Sequence, residues 1–234
     1  RMSKDSYISC AGCHVDGGDD GMVWDFTDRR EGLRNTVTLK GRAGLGHGRV
    51  HWTGNFDEVQ DFENDIRSAF GGAGFLTDAD FAATSNPLGA AKAGRSATLD
   101  DLAAYVTSLQ TYPRSPARAA DGSLTAQALA GKAVFDQRQC ATCHGGATLR
   151  DGQRHDVGTV QPSSGTAGGT ALAGVGFDTP TLRGVWDTAP YFHNGQAATL
   201  RDVFNAGHGN TATLSATDKD ALVQYLRSLD GQAP

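Results

Sequence analysis

The chain has no cysteine to spare. Its 4 cysteines all fall in two copies of one pattern, Cys10-Ala11-Gly12-Cys13-His14 and Cys140-Ala141-Thr142-Cys143-His144, so no thiol remains for a disulfide framework. Methionine is nearly missing, with Met2 and Met22 the only two. Aromatics make up 8% of the 234 residues, against 38% for all hydrophobic types and 31 glycines. A chain long enough for a real core but poor in large side chains points to a bulky apolar group that supplies volume. No apolar run approaches the ~20 residues needed to cross a bilayer. Excess positive charge is lacking too: the formal net charge of −5 argues against nucleic acid or an anionic membrane surface as partner. No secretory leader is recognisable at Arg1, and the expectation is a mature or excised fragment whose targeting sequence lies upstream.

What is present is the C-x-x-C-H pattern. It is the attachment sequence of a c-type haem: the two thiols add across the haem vinyl groups, and the histidine that follows ligates the iron from the proximal side. Cysteine pairs at this spacing also serve zinc sites and dithiol redox centres. A tetrahedral zinc site needs four ligands, however, and the next histidines, His47 and His155, are distant in sequence. No strand-helix pattern of the thioredoxin type surrounds either copy. The expectation is two haem c groups, held by Cys10, Cys13 and His14 and by Cys140, Cys143 and His144. Covalent haem attachment belongs outside the cytoplasm, so the expected location is the periplasm or the cell surface.

The flanking sequence is duplicated as well. Thr36-Val37-Thr38-Leu39-Lys40-Gly41 returns as Thr179-Pro180-Thr181-Leu182-Arg183-Gly184, and Val50-His51-Trp52-Thr53-Gly54 is echoed by Tyr191-Phe192-His193-Asn194-Gly195. Leu102 to Leu109 is echoed by Leu222 to Leu229. Both closing segments have helical periodicity, with Thr98 and Ser215 as candidate N-caps. Leu124 to Phe135 predicts a further helix running into Cys140, whereas only nine residues precede Cys10, so the first unit is expected to lack that helix. The fold class expected is mainly α: two tandem class I cytochrome c-like units with long irregular loops. The first unit covers 1–112, a linker rich in proline and without periodicity covers 113–122, and the second unit covers 123–234. Gln161 to Gly176, rich in Gly, Ser and Thr, reads as a flexible loop.

The run from Thr179 through Thr188-Ala189-Pro190-Tyr191-Phe192-His193-Asn194-Gly195 resembles the signature of the bacterial di-haem cytochrome c peroxidase and MauG family. So do Ile8 to His14, Arg34-Asn35-Thr36 and His51-Trp52-Thr53-Gly54, in collinear order. The resemblance implies that Trp52 lies on the electron path between two haems. It also implies that Asn35, with the backbone carbonyls of Thr188 and Pro190, holds a calcium ion between the units, and neutral oxygen ligands suit that ion. Two departures follow. The family histidine between the first haem motif and the Arg-Asn segment has no counterpart in residues 15–33, where only Met22 occurs, and no methionine is available after Tyr191 to ligate the second iron.

The sixth ligands must then come from the remaining histidines. For the second haem the choice is His208, near the position where the family methionine aligns and flanked by Gly207 and Gly209, which let backbone approach a flat macrocycle; His155 is the alternative. For the first haem it is His51, beside Trp52 in an apolar setting where an unpartnered imidazole is costly, with His47 as competitor. His193 reads as a propionate or interface contact. With both irons six-coordinate there is no vacant position for peroxide. The region Ser68 to Thr77 has no acid to assist O–O cleavage, and Glu58 and Glu63 read as exposed helix positions. The leading function is therefore electron transfer between a donor or an upstream fused catalytic domain and an external acceptor. The alternative is a di-haem peroxidase or MauG-like oxidoreductase activated by half-reduction.

Overall fold

The computed structural model describes residues 1–165 and 172–233. It divides into two compact units, one formed by Arg1–Asp20 and Thr36–Gln110, the other by Gly21–Asn35 and Thr111–Pro234. Among the described residues helix dominates, with two short two-stranded sheets.

In the first unit, α1 (Cys10–Cys13) carries the first motif. A helical stretch around α2 (Phe62–Asn64) is entered through a capping box in which Glu58 and Asp61 bond each other's backbone. α3 (Asp78–Ala83) and α4 (Ala97–Ser108) follow. The N-cap of α4 is Ser96, not Thr98: Ser96 is extended, and its hydroxyl accepts from the Leu99 N–H. Glu63 corrects the sequence expectation. Its carboxylate is fully buried and accepts hydrogen bonds from Arg67 Nε (2.8 Å) and from the backbone N–H groups of Phe75 and Leu76. Glu58, half-buried, caps the backbone of Lys92 and Ala93. The glycine-rich loop lacked its own acids, and these neighbouring carboxylates satisfy the backbone N–H groups that the loops leave over.

The second unit begins with a hairpin that the sequence reading did not anticipate. β1 (Val23–Phe26) pairs antiparallel with β2 (Gly32–Asn35) in the register Val23 to Asn35, and Arg30 turns the chain with φ 63°. Four-residue strands are too short for a clear alternating signal. α5 (Ala126–Gln137) is the helix expected ahead of Cys140 and is capped by Thr125. β3 (Arg154–His155) pairs with β4 (Phe177–Asp178), and α6 (Leu200–Asn205) and α7 (Ala216–Arg227) complete the unit, α7 behind the expected cap Ser215. The segment 113–122 is tied down: Ser115 Oγ donates to the Arg227 carbonyl, and Arg118 pairs with Asp230 at 3.2 Å. Part of the stretch read as a flexible loop, 166–171, lies outside the described residues. Its two ends are not loose, because Ser164 is fully buried and Leu172 is 2% exposed.

The repeated sequence segments repeat in geometry. Val50 bridges Phe56 in the first unit as Tyr191 bridges Ala197 in the second. Both turns place a non-glycine residue at positive φ, His51 at 68° and Phe192 at 64°, and both close on a glycine, Gly54 or Gly195. Gly41 and Gly184 share φ values of 74° and 72°, a conformation that explains the glycine ending each T-x-T-L-basic-G segment.

α5 and α7 cross at Gly131, where an added Cβ would overlap the carbonyl oxygen of Ala221 and lie 2.8 Å from Tyr225 Cβ. Phe135 meets the Tyr225 ring edge-on at 5.3 Å. Gly131→Ala should therefore destabilise the protein by about 1–3 kcal/mol through overpacking, measured by urea unfolding. At an open helix position the same change stabilises, so the sign of the effect is the test.

Candidate haem-binding sites

Each motif makes the same local turn. The His14 N–H donates to the Cys10 carbonyl at 2.8 Å, and the His144 N–H to the Cys140 carbonyl at 2.9 Å. Each ring then directs Nδ1 at backbone: His14 to the Gly18 carbonyl (3.3 Å) and His144 to the Leu149 carbonyl (3.4 Å). The carbonyls of Val37 and Pro180 also act on the two rings, favouring their charged forms. Val37 and Pro180 are the second residues of the two T-x-T-L segments, so the repeat places matching carbonyls near both proximal histidines. Engaging Nδ1 fixes the tautomer and leaves Nε2 as the free ligand atom. Burial lowers the pKa of both imidazoles; that of His144 is pushed down to about 4, with the nearby His208 adding to the effect.

The cysteines are not activated thiols. Burial raises the pKa of Cys10, Cys13, Cys140 and Cys143, the reverse of the depression that a dithiol redox centre uses.

The sequence named His208 as the ring opposite His144, and the structure brings the two together. Their centroids are 6.2 Å apart with planes inclined by 57°. His208 stands on a loop whose glycines, Gly207 and Gly209, have φ values of 80° and 60°. The buried Thr211 hydroxyl pins that loop by donating to the His208 carbonyl at 2.7 Å. His208 Nδ1 is buried and finds no hydrogen-bond partner among the described residues. The Phe192 ring lies 5.7 Å from it, edge-on. A separation of 6.2 Å leaves room for one metal ion bonded to a nitrogen of each ring at about 2 Å, and among the described residues His208 Nδ1 has no other partner. These residues fit a haem iron, which His144 and His208 would hold.

The other candidates are placed differently. His51 is held at both ring nitrogens, Nδ1 2.9 Å from Asn55 Oδ1 and Nε2 3.4 Å from the Asp65 carboxylate, with Phe56 and Phe62 against its faces. An iron bond through Nε2 would have to displace Asp65. His47 and Trp52 are half-buried in the first unit. His155 bonds Asp151 at 2.7 Å, and the ligand atoms of Cys143, Asp151 and His155 lie within 4.8 Å of one another, close enough to hold a metal ion if Cys143 were free. Asn35 and Pro190 come together, the carboxamide donating to the Pro190 carbonyl; Thr188 turns its hydroxyl to the Val185 carbonyl.

His193 has a setting that the sequence did not reveal. It is 1% exposed, stacks on Phe177 at 3.9 Å, and shares a 2.8 Å hydrogen bond with the buried Ser164 hydroxyl. Its carbonyl accepts from the Asn35 N–H at 2.6 Å. Arg34 lies over the other part of this assembly, 5.2 Å from the Phe177 ring centroid, and donates to the Ser164 carbonyl. The only sequence signal was the Arg34-Asn35 pair itself, because its partners are more than 120 residues away in the chain.

The cytochrome c-like profile of RoxA-like proteins matches residues 176–211, the stretch from β4 to the loop that carries His208. The gamma subunit of hydrazine synthase from Kuenenia stuttgartiensis is 30% identical over 265 aligned positions, covering 94% of this chain and 72% of that protein. Cytochrome c551 peroxidase of Pseudomonas aeruginosa is 32% identical over 61% of this chain. The chain belongs to the di-haem cytochrome c peroxidase and MauG family. The solved hydrazine synthase of Kuenenia stuttgartiensis superposes with a TM-score of 0.71 at 27% identity, over 97% of this chain and 83% of that one. A MauG-like protein associated with microbial copper homeostasis shares the fold, with a TM-score of 0.65 at 18% identity. The match to the peroxidase takes in 47% of its length. Haem c is the cofactor of this family's cytochrome c-like fold.

Burial and the nearby Arg34 charge lower the His193 pKa from 6.5 to about 4. The unfolded chain takes up this proton near the ordinary value and the folded one only near 4, so the stability gained by keeping the ring neutral is complete above about pH 6.5 and is lost as pH falls toward 4. His193→Gln should flatten this part of the pH dependence of the melting temperature between pH 7 and 4.

Proposed function

We propose that the chain is an electron-carrying domain with two haem c groups, one in each unit, bound by Cys10, Cys13 and His14 and by Cys140, Cys143 and His144. The carrying observation is the pair of buried imidazoles of His144 and His208 with 6.2 Å between their centroids. Haem c, when bound, supplies a one-electron couple. The chain's own residues do the rest. The thiols anchor the group, the carbonyls of Leu149 and Pro180 hold His144 in the ligating tautomer, and Thr211 fixes the loop that presents His208. If His144 and His208 both hold the second haem, no position would be left there for a substrate, which suits electron transfer. Trp52 is the proposed electron path. By location the domain is proposed to be periplasmic or at the cell surface. Its partner is proposed to be another redox subunit or a fused domain, a reading supported by the name of its relative, which is a subunit of an enzyme.

One observation favours a second reading. The engagement of His51 by Asn55 and Asp65 supports a first haem whose sixth position is open until Asp65 is displaced, as an oxidoreductase of this family would need. If His51 does ligate, the first haem is low-spin and the domain is a carrier alone.

A denaturing mass measurement should find two added haems per chain, and one haem or zinc would defeat the proposal. His208→Gly should turn one haem high-spin and leave the other unchanged. With a reduced small cytochrome as donor, the half-reduced protein should turn over hydrogen peroxide slowly; fast turnover lost on replacing Trp52 would establish the oxidoreductase reading.

Calcium is proposed at Asn35 with the carbonyls of Pro190 and Thr188. The Asn35 carboxamide, turned over, offers an oxygen beside the Pro190 carbonyl, and neutral oxygens of this kind are calcium ligands. Chelator should lower the melting temperature, with calcium restoring it and magnesium failing to.

A further inference from the structure

The two haem motifs repeat, but the residues just ahead of them do not. Two places before the first cysteine the second motif has Arg138 where the first has Ile8, and three places before it Gln137 stands where the first has Tyr7. The duplication therefore does not account for a cation here. In the structure Arg138 closes α5 and lines a groove of ≈ 390 Å³ together with Gln137, Gly209, Asn210, Ala212 and Thr213. Cys140, Cys143, His144 and His208 are not in the lining, so the groove is separate from the haem-binding residues, yet it borders them on two sides. Gly209 follows His208 directly. On the attachment side, the Cys140 thiol, whose pKa is raised by burial, feels the charges of Asp136 and Arg138.

The lining is polar and holds one charge. Arg138 donates through an outer nitrogen to the Thr213 hydroxyl at 3.3 Å, and the Asn210 carboxamide donates to the Arg138 carbonyl at 3.4 Å. Arg138 Nε is buried and has no hydrogen-bond partner among the described residues, so the guanidinium is packed in place. No carboxylate lines the groove to neutralise it, and Asp136, close by in sequence, is paired with Lys132 at 2.9 Å. The natural complement of a fixed guanidinium is a carboxylate, which accepts two parallel N–H bonds. The groove is open beside Gly209, where an added Cβ would meet nothing within 4 Å. Small-molecule sites enclose their ligand and are mainly apolar. An open polar groove with a fixed cation suits a charged side chain presented by another protein's surface.

We infer that this groove receives a carboxylate side chain of an acidic electron-carrier protein, which exchanges electrons with the second haem through this contact. The inference rests on the electron-transfer reading and adds to it the chemistry of the partner. Because the chain carries a formal charge of −5 overall, it is the local cation and not the net charge that selects such a partner.

The test mixes the fully reduced holoprotein, in a stopped-flow instrument, with oxidised plastocyanin as an acidic carrier or with an oxidised basic cytochrome c. Each transfer oxidises one haem iron and reduces the carrier's copper or iron by one electron. Arg138→Gln should slow plastocyanin about five- to tenfold and leave the basic cytochrome within about twofold. Asn210→Asp, which adds a carboxylate from the opposite wall, should slow plastocyanin in the same way. Arg95→Gln, the same loss of charge in the first unit, should change neither rate by more than about twofold. Unchanged haem spectra show that each variant is folded. Equal plastocyanin rates for the wild type and both groove variants, equal slowing of the two carriers, or equal slowing by Arg95→Gln would each overturn the inference while leaving the electron-transfer reading intact. If the reduced wild-type protein gives electrons to neither carrier, that reading falls and the inference with it.

Discussion

Two buried imidazole rings, His144 and His208, with centroids 6.2 Å apart are the constraint around which the second unit is organised. Burial lowers the pKa of both rings, and the His208 ring lowers that of His144 further. Everything nearby serves the spacing. α5 delivers Cys140 and His144 at its C-terminal end, and the repeat segment turns the Pro180 carbonyl to the proximal ring. Thr211 fastens the His208 loop behind α6. The core that surrounds these elements, from Phe135 and Leu149 to Leu222 and Leu229, is one continuous apolar cluster.

The first unit is held together more by buried charge. Lys92 and Asp61 form an ion pair at 2.6 Å with side chains 0% and 1% exposed, and Glu63 pairs with Arg67 at 2.8 Å in the same unit. Such pairs add little net stability over a well-packed apolar replacement, but removing one partner costs about 3–5 kcal/mol because the other charge is left buried. They define where the loops go. Asp61 and Glu58 hold the chain around Lys92, and Glu63 holds the 74–76 turn. This is also why acids that look like surface residues in a helical sequence are structural here.

Much of the second site could be read directly. The C-x-x-C-H motif, the T-x-T-L segment and the glycine-flanked His208 are local patterns, and each owes its meaning to neighbours a few residues away. His51 shows the limit of that reading. Its apolar neighbours in sequence suggested iron as a partner, and the structure adds Asn55, four residues on, and Asp65, on the helical stretch beyond, at its two nitrogens. The setting of His193 was equally hidden, since Ser164, Phe177 and Arg34 come from three separate segments. The β1–β2 hairpin was missed because its strands are too short to display a period.

From the sequence alone came the chemistry and the duplication: thiols, proximal histidines and repeated turns are fixed by spacing along the chain, and spacing survives without a fold. Only the tertiary structure decided which histidine meets which partner, that Glu63 is buried, and that Gly21–Asn35 belongs to the second unit. Those are contacts between residues far apart in sequence. They depend on how apolar burial and paired charges bring segments together, and no local pattern encodes that.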